Sequence, residues 1–216
     1  MKNIFLFVTL FNVPFCLIYS QELSFVITKP STTTEIICDT TDPFQNLMAD
    51  ALLKDINRIS NHIPEKKNRF SGEKSIPIFI GTINSMVMQD LEIQNLINVG
   101  TIKHKWEVFT MQYITIKGVP SLIICGSDNR GMAYGVFHLS ELMGVSPWYW
   151  WADVHPEKKD TISIFQQNFM SGEPSVKYRG IFLNDEDWGL QPWSAKTFES
   201  EVGDIGPRTY SKIFEL

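Results

Sequence analysis

The chain has 216 residues and a formal net charge of −5, with acids and bases scattered rather than clustered. That balance excludes the basic face a nucleic acid or an anionic membrane surface would require. Its three cysteines are too few for a disulfide scaffold.

Residues 1–20 read as a secretory signal peptide. Lys2 supplies a positive start, residues 4–19 are apolar apart from Thr9, Asn12 and Pro14, and Ser20 is a small residue ahead of a cleavage point at Gln21. The apolar run falls short of the ~20 residues a bilayer span needs, and Pro14 interrupts it. Bulky Phe15 before Cys16 argues against a lipoprotein anchor. The mature chain is therefore expected outside the cytoplasm, secreted or periplasmic. At about 195 residues it is long enough for one complete domain and part of a second.

Residues 23–28 and 35–38 are short strand candidates rich in Phe, Val and Ile. Asp42 is then expected to cap a helix with Pro43 at its first position. Its apolar stripe is Phe44, Leu47, Met48, Ala51, Leu52, Ile56, Ile59 and Ile63, with Pro64 and the polar run 65–68 ending it. Residues 76–80 predict a buried strand closed by Gly81, and residues 86–97 a helix. Residues 107–116 and 122–125 predict two strands joined at Gly118, and residues 129–143 a further helix. Strands alternating with helices indicate an α/β layer structure. Cys38 and Cys125 each end an apolar run, which predicts buried strand positions; a bridge between them is a lesser alternative.

In Gly126-Ser-Asp-Asn-Arg-Gly131 the spacing is neither a dinucleotide fingerprint nor a phosphate loop. Gly126 is expected to make a tight turn, Asp128 to cap the helix, and Gly131 and Gly135 to bring that helix close to the sheet. Arg130 is a candidate tie to a second domain. His62, His104, His138 and His155 show no metal-ligand spacing, and no Gly-x-Ser-x-Gly elbow occurs. Pro147-Trp-Tyr-Trp-Trp-Ala-Asp153 sets four aromatics in a row. Read as extended chain, Trp148 and Trp150 point one way and Tyr149 and Trp151 the other. One pair can then be a hydrophobic wedge between two domains while the other keeps a flat indole face free for a ligand.

Gly172-Glu-Pro174 marks a break into a second unit. There Val176-Lys-Tyr-Arg-Gly-Ile-Phe-Leu-Asn-Asp-Glu186 runs an apolar strand into three polar groups. In a (β/α)8 barrel, acids at the C-terminal end of a strand stand on the catalytic face, so this predicts barrel strand one. Such a barrel needs ~250 residues, so the chain is expected to hold only its start. The predicted organisation is residues 1–20 signal peptide, 21–168 α/β accessory domain and 169–216 incomplete barrel. Asp185 and Glu186 are adjacent, so on extended chain they face opposite sides.

Several of these segments also resemble a known family. The run Tyr178 to Glu186, then Gly203-Asp-Ile-Gly-Pro207 and Tyr210-Ser-Lys-Ile-Phe-Glu-Leu216, is similar to the glycoside hydrolase family 115 enzymes, the xylan α-1,2-glucuronidases. Gly126-Ser-Asp-Asn-Arg-Gly131, Tyr134-Gly135 and Gly144-Val-Ser-Pro-Trp-Tyr-Trp-Trp-Ala-Asp153 match the same family in the same order. The resemblance implies inverting hydrolysis, with no cofactor, of α-1,2-linked (4-O-methyl)glucuronic acid from glucuronoxylan or an aldouronic acid oligosaccharide. Asp185 and Glu186 are then the catalytic candidates, with the general acid on a later strand beyond Leu216. Asn184, Trp150 and Trp151 are the substrate-binding candidates. Two alternatives stay open: a non-catalytic carbohydrate-binding module, and another exo-glycosidase of the family 67 or hexosaminidase-like kind with the same two-domain start.

Overall fold

The computed structural model describes residues 23–72, 74–185 and 187–215. The expected signal segment and Glu186 lie outside the described residues.

Among the described residues, eight strands and five helices follow in chain order. They are β1 (Ser24–Thr28), β2 (Thr33–Ile37), α1 (Pro43–Ile59), β3 (Glu65–Lys67), β4 (Ser75–Thr82), α2 (Met86–Ile93), β5 (Phe109–Ile116), β6 (Val119–Gly126), α3 (Asn129–Leu142), β7 (Ile162–Phe165), β8 (Phe169–Met170), α4 (Leu190–Trp193) and α5 (Pro207–Phe214), with a π-helical turn at Ser194–Phe198 between the last two. The main sheet has the order β3-β2-β4-β6-β5-β8. Strands β3, β2, β4 and β6 run parallel, and β5 and β8 are antiparallel additions at one side. β1 and β7 pair separately as an antiparallel ribbon.

A sheet covered on both faces needs apolar residues at nearly every position of its inner strands. β4 meets that demand along its whole length, all of it buried. One face of the sheet packs against α1, α3 and the β1–β7 ribbon, through Ile36, Leu52, Ile56, Ile78, Ile124 and Val136 among others. The opposite face packs against α2 and the loop that follows it, through Ile37, Phe79, Met88, Ile102 and Ile123. Cys38 belongs to the first cluster and Cys125 to the second, so the sheet separates them; both are free thiols.

Asp42 caps α1 as its position predicts, accepting from the backbone N–H of Phe44 at 2.8 Å and of Gln45 at 2.9 Å; such a cap contributes about 1 kcal/mol. The predicted stripe is right at Met48, Leu52, Ile56 and Ile59 but wrong at Leu47 and Ile63, which are exposed. The helix stops at Ile59, where the Ser60 hydroxyl donates to the carbonyl of Ile56 at 2.7 Å and the backbone turns extended. The polar run after Pro64 is not a terminator; it is β3, an edge strand parallel to β2. Charged residues suit that edge, since they discourage pairing with another chain. α2 is also shorter than its pattern suggests, ending before Asn95, whose φ of 53° is left-handed.

α3 lies close to the sheet because two of its residues lack a side chain. A Cβ on Gly131 would stand 2.2 Å from the carbonyl oxygen of Val108, and one on Gly135 would stand 2.5 Å from Ile124. Asp128 caps this helix, accepting from Gly131 N–H at 2.8 Å, and its other oxygen accepts from Glu107 N–H at 2.7 Å.

The expected barrel strand does not form a strand here. Among the described residues, 174–185 carry no ladder, and Tyr178 and Phe182 are 87% and 91% exposed. A strand's hydrogen bonds come from its neighbours, and no described strand lies beside this segment. The two residues of β8 just before it pair with β5 instead, at Thr110 and Met111.

Candidate functional site

A cleft of about 920 Å³ opens where the aromatic run, the end of α1 and the segment around α4 meet; it is lined by Arg58, Tyr149, Trp150, Trp151, Asp153, His155, Pro156, Lys158, Gly189, Leu190 and Trp193. The alternation expected of residues 148–151 is absent. This stretch is a helical turn: the Ser146 hydroxyl accepts from Trp148 N–H at 3.1 Å, and Ala152 N–H donates to Trp148 C=O at 2.9 Å. A turn rotates neighbouring side chains by about 100° rather than 180°, so Trp150 and Trp151 both reach the cleft while Trp148 stays in solvent.

The two tryptophans are held by the C-terminal segment. Trp150 sits edge-on to Trp151 at 4.8 Å and to Phe198 at 5.0 Å, and Trp193 stacks on Phe198 at 5.4 Å. The Trp151 indole N–H donates to the carbonyl of Lys212 at 3.2 Å, and the Lys212 ammonium lies 5.4 Å from the Trp150 ring. The cluster therefore wedges the aromatic loop against α4 and α5 while its remaining faces floor the cleft. Aromatic pairs at these separations contribute about 0.5–1.5 kcal/mol each beyond their burial.

Cations border this floor. The Arg58 guanidinium lies 3.7 Å from the centre of the Tyr149 ring and donates to Asp55. Burial pushes the Asp55 carboxyl up, while Arg58 pulls it back down. His155 and Lys158 also stand at its edge. Asp153 adds one carboxylate, on a backbone with φ of 51°. A ring-sized apolar floor with cations and one acid at its edge suits a polar, flat and negatively charged ligand. No group of three or more His, Cys, Asp or Glu side chains among the described residues has the arrangement of a metal site.

Of the residues singled out in the sequence, Trp150 and Trp151 come together here. Asn184 and Asp185 lie on the exposed stretch just before Gly189 and do not line the cleft. Arg58, Lys158 and Trp193 were not legible as site residues. Arg58 reaches Tyr149 only through the packing of α1 on α3, a long-range event that leaves no local pattern.

A second polar cluster gathers around Glu107. Glu107, almost fully buried, accepts from Arg130 at 2.8 Å, from the Tyr134 hydroxyl at 3.3 Å and from Arg179. The Arg179 hydrogen bond is the main cause holding the Glu107 carboxyl below its usual range, against the opposing effect of burial.

Residues 171–216 match the model of glycosyl hydrolase family 115. A solved family 115 4-O-methyl-α-glucuronidase with specificity for decorated arabinogalactans is 38% identical, with a TM-score of 0.74 over 88% of this chain and 24% of its own. The chain thus spans about a quarter of that relative's length. A mutant Streptomyces plicatus β-hexosaminidase in complex with its product is 11% identical over 67% of this chain and 22% of its own, with a TM-score of 0.40. No curated protein is a significant match.

Proposed function

The chain belongs to glycoside hydrolase family 115, and we propose that it is the N-terminal portion of an exported enzyme that removes α-1,2-linked (4-O-methyl)glucuronic acid from xylan by inverting hydrolysis. The cleft carries this reading: indoles at its floor offer flat apolar surface to the C–H face of a pyranose, and Arg58, His155 and Lys158 at its edge suit a sugar carboxylate. Trp150 and Trp151 are the sugar-binding residues of this proposal.

We assign residues 1–20 to a signal peptide, 21–168 to an α/β accessory domain and 169–216 to the start of a (β/α)8 barrel. In the whole enzyme, residues 176–184 become strand one between neighbouring strands, with Asn184, Asp185 and Glu186 at its C-terminal end. Burying Tyr178, Ile181 and Phe182 gives that arrangement its driving force. In an inverting reaction one carboxylic acid protonates the leaving glycosidic oxygen. A carboxylate across the sugar takes a proton from the attacking water, with the two ~6.5–9.5 Å apart. Asp185 is the carboxylate assigned to this strand end, and the general acid belongs to a later strand.

Decorated arabinogalactan is the second substrate reading, favoured by the specificity of the 38% identical glucuronidase for decorated arabinogalactans. The test uses a protein in which this chain is followed by the remaining family 115 fold, with glucuronoxylan and glucuronidated arabinogalactan as parallel substrates. Release of the β-anomer of (4-O-methyl)glucuronic acid from xylan supports the first reading, and release from arabinogalactan alone supports the second. Binding without release from either would favour a carbohydrate-binding module. A mature N-terminus at Gln21 in exported protein would support the signal assignment, and retention of residues 1–20 would refute it.

A further inference from the structure

The structure assigns Glu107 as a positioning residue: a charged latch to Arg179 that sets the side of the chain on which Asp185 stands. The inference rests on the proposed role of Asp185 and deepens it.

Glu107 is buried in an unusual backbone, with φ of 55°. Left-handed conformation in a residue other than Gly, Asn or Asp is costly and persists where the surroundings over-determine it. Here they do. Its N–H is held by the Asp128 cap, and Val108 N–H beside it donates to Ser127 Oγ at 3.0 Å. The carboxylate is thereby aimed at one place, between Arg130 and Tyr134 of α3 and Arg179 of the second segment.

Arg179 is received from several directions. One nitrogen donates to Glu107 and, at 2.9 Å, to the Tyr134 hydroxyl; the other donates to the carbonyl of Val176 at 2.8 Å, closing the turn before it. Trp106 lies under the guanidinium at 5.6 Å. The chain leading to this point is also fastened. Ser171 exchanges hydrogen bonds with Phe109, both at 3.0 Å, and Glu173 accepts from Trp106 N–H at 3.1 Å. The first domain therefore grips the segment at 169–173 and again at Arg179, just ahead of the exposed run that ends in Asp185.

Parity makes this grip consequential. On extended chain, Arg179, Ile181, Leu183 and Asp185 fall on one side and Asn184 on the other. A slip of one residue would exchange the two sides. A guanidinium held through one nitrogen by a buried carboxylate and through another by the Val176 carbonyl resists such a slip, and the single ammonium of lysine cannot hold both in one plane.

The test has two arms. Hydrogen exchange on this chain compares wild type with Glu107→Gln, Arg179→Met, Arg179→Lys and the Glu107→Gln/Arg179→Met pair. Either Gln or Met speeds exchange of the hydrogen-bonded amides beside the latch, those of Trp106, Glu107, Val108 and Ser171, about tenfold, and Lys gives a smaller rise. The double variant matches the single ones, because both remove the same contact, while the strands β4 and β6 keep their protection. Additive effects, or an unchanged Arg179→Met profile, would overturn the latch. The second arm measures 4-O-methylglucuronic acid release from an aldouronic acid oligosaccharide by the whole enzyme. Positioning predicts a fall in kcat of at least tenfold for Arg179→Met with KM nearly constant, partly restored in Arg179→Lys. Unchanged kcat beside raised exchange would overturn the positioning role. A wild-type enzyme inactive on glucuronosides would sink the proposed function but leave the exchange arm to judge the latch.

Discussion

The Glu199 carboxylate closes the N-terminus of α5 on Thr209, accepting its backbone N–H at 2.7 Å and its hydroxyl at 2.6 Å, and it accepts Arg208 N–H at 3.1 Å as well. Gly206 makes the approach possible, because a Cβ there would stand 2.3 Å from the carboxylate oxygen. A negative charge at a helix N-terminus is favoured both by the free N–H groups and by the helix dipole. Gly203-Asp-Ile-Gly-Pro207, read in the sequence as a family motif, thus has a local physical purpose: it delivers a helix start to a buried acid.

Acid should loosen this corner. Burial alone would raise the Glu199 carboxyl, but the hydrogen bonds from Thr209 and Arg208 outweigh it and hold the group below the usual glutamate range. At neutral pH neither the folded nor the unfolded form carries the proton. Below the unfolded value the unfolded chain binds it first, so stability declines as pH falls through the folded value. Glu35 and Glu107 shift in the same direction. Melting followed by circular dichroism from pH 7 to pH 3 should show Tm falling on the acid side. Glu199→Gln should have a lower Tm at pH 7 and a shallower decline; an unaltered profile in that variant would remove Glu199 from the account.

Gly131→Ala should destabilise by about 1–3 kcal/mol, because the new methyl meets the backbone of Val108 rather than a flexible side chain. At this chain length that lowers Tm by roughly 2–4 °C per kcal/mol. Gly172→Ala, where a Cβ meets nothing within 4 Å, should stay within about 0.5 kcal/mol. Calorimetry of both variants checks the pair, and equal losses would mean that close approach is not the cause.

Gly131 and Gly135 were legible in sequence because each sits at a fixed offset in a strand-turn-helix pattern. Asp42 and Asp128 were legible as caps for the same reason, and β4 by its unbroken apolar run. What escaped was set by partners far along the chain. Glu65-Lys-Lys67 reads as a polar loop, and only the exposed edge of β2 makes it a strand. The apolar alternation of residues 176–184 reads as a strand, yet a pattern reports only the capacity to pair, and no described strand stands beside it. The aromatic run reads as extended chain because nothing in its apolar pattern reports the Ser146 hydroxyl and the backbone hydrogen bonds of Tyr149 and Ala152 that make it a turn.

The thiols should be inert in the folded chain. Burial pushes Cys38 up to about 11 and Cys125 up to about 12, so little thiolate exists at pH 8. Iodoacetamide should modify them at no more than on the order of one hundredth of the rate for an exposed thiol, and both should react fully in denaturant. A Cys38–Cys125 bridge detected by mass spectrometry would contradict their separation by the sheet.

Asp185→Asn in the whole enzyme should lower kcat/KM at least ~100-fold, equivalent to ~2.7 kcal/mol of lost transition-state stabilisation. The residue is exposed, so Tm should move little. Wild-type kcat/KM in this variant would take the strand end out of the active site.

Trp150 should show two roles at once. Its ring packs on Trp151, Trp193 and Phe198 and lies under Lys212, yet it also forms part of the cleft floor. Truncating a buried aromatic costs about 3–5 kcal/mol. Trp150 is only half-buried, so Trp150→Ala should cost about 2–3 kcal/mol, seen as a lower Tm. Trp148→Ala removes a ring that is 55% exposed and should stay within about 0.5 kcal/mol. The substrate role is read separately, at a temperature where Trp150→Ala remains folded. There its KM for an aldouronic acid oligosaccharide should rise or its kcat fall, while Trp148→Ala behaves as wild type. Normal kinetics in folded Trp150→Ala, together with the loss of Tm, would reduce this tryptophan to a wedge between the aromatic loop and α4, and the sugar-stacking assignment would pass to Trp151 alone.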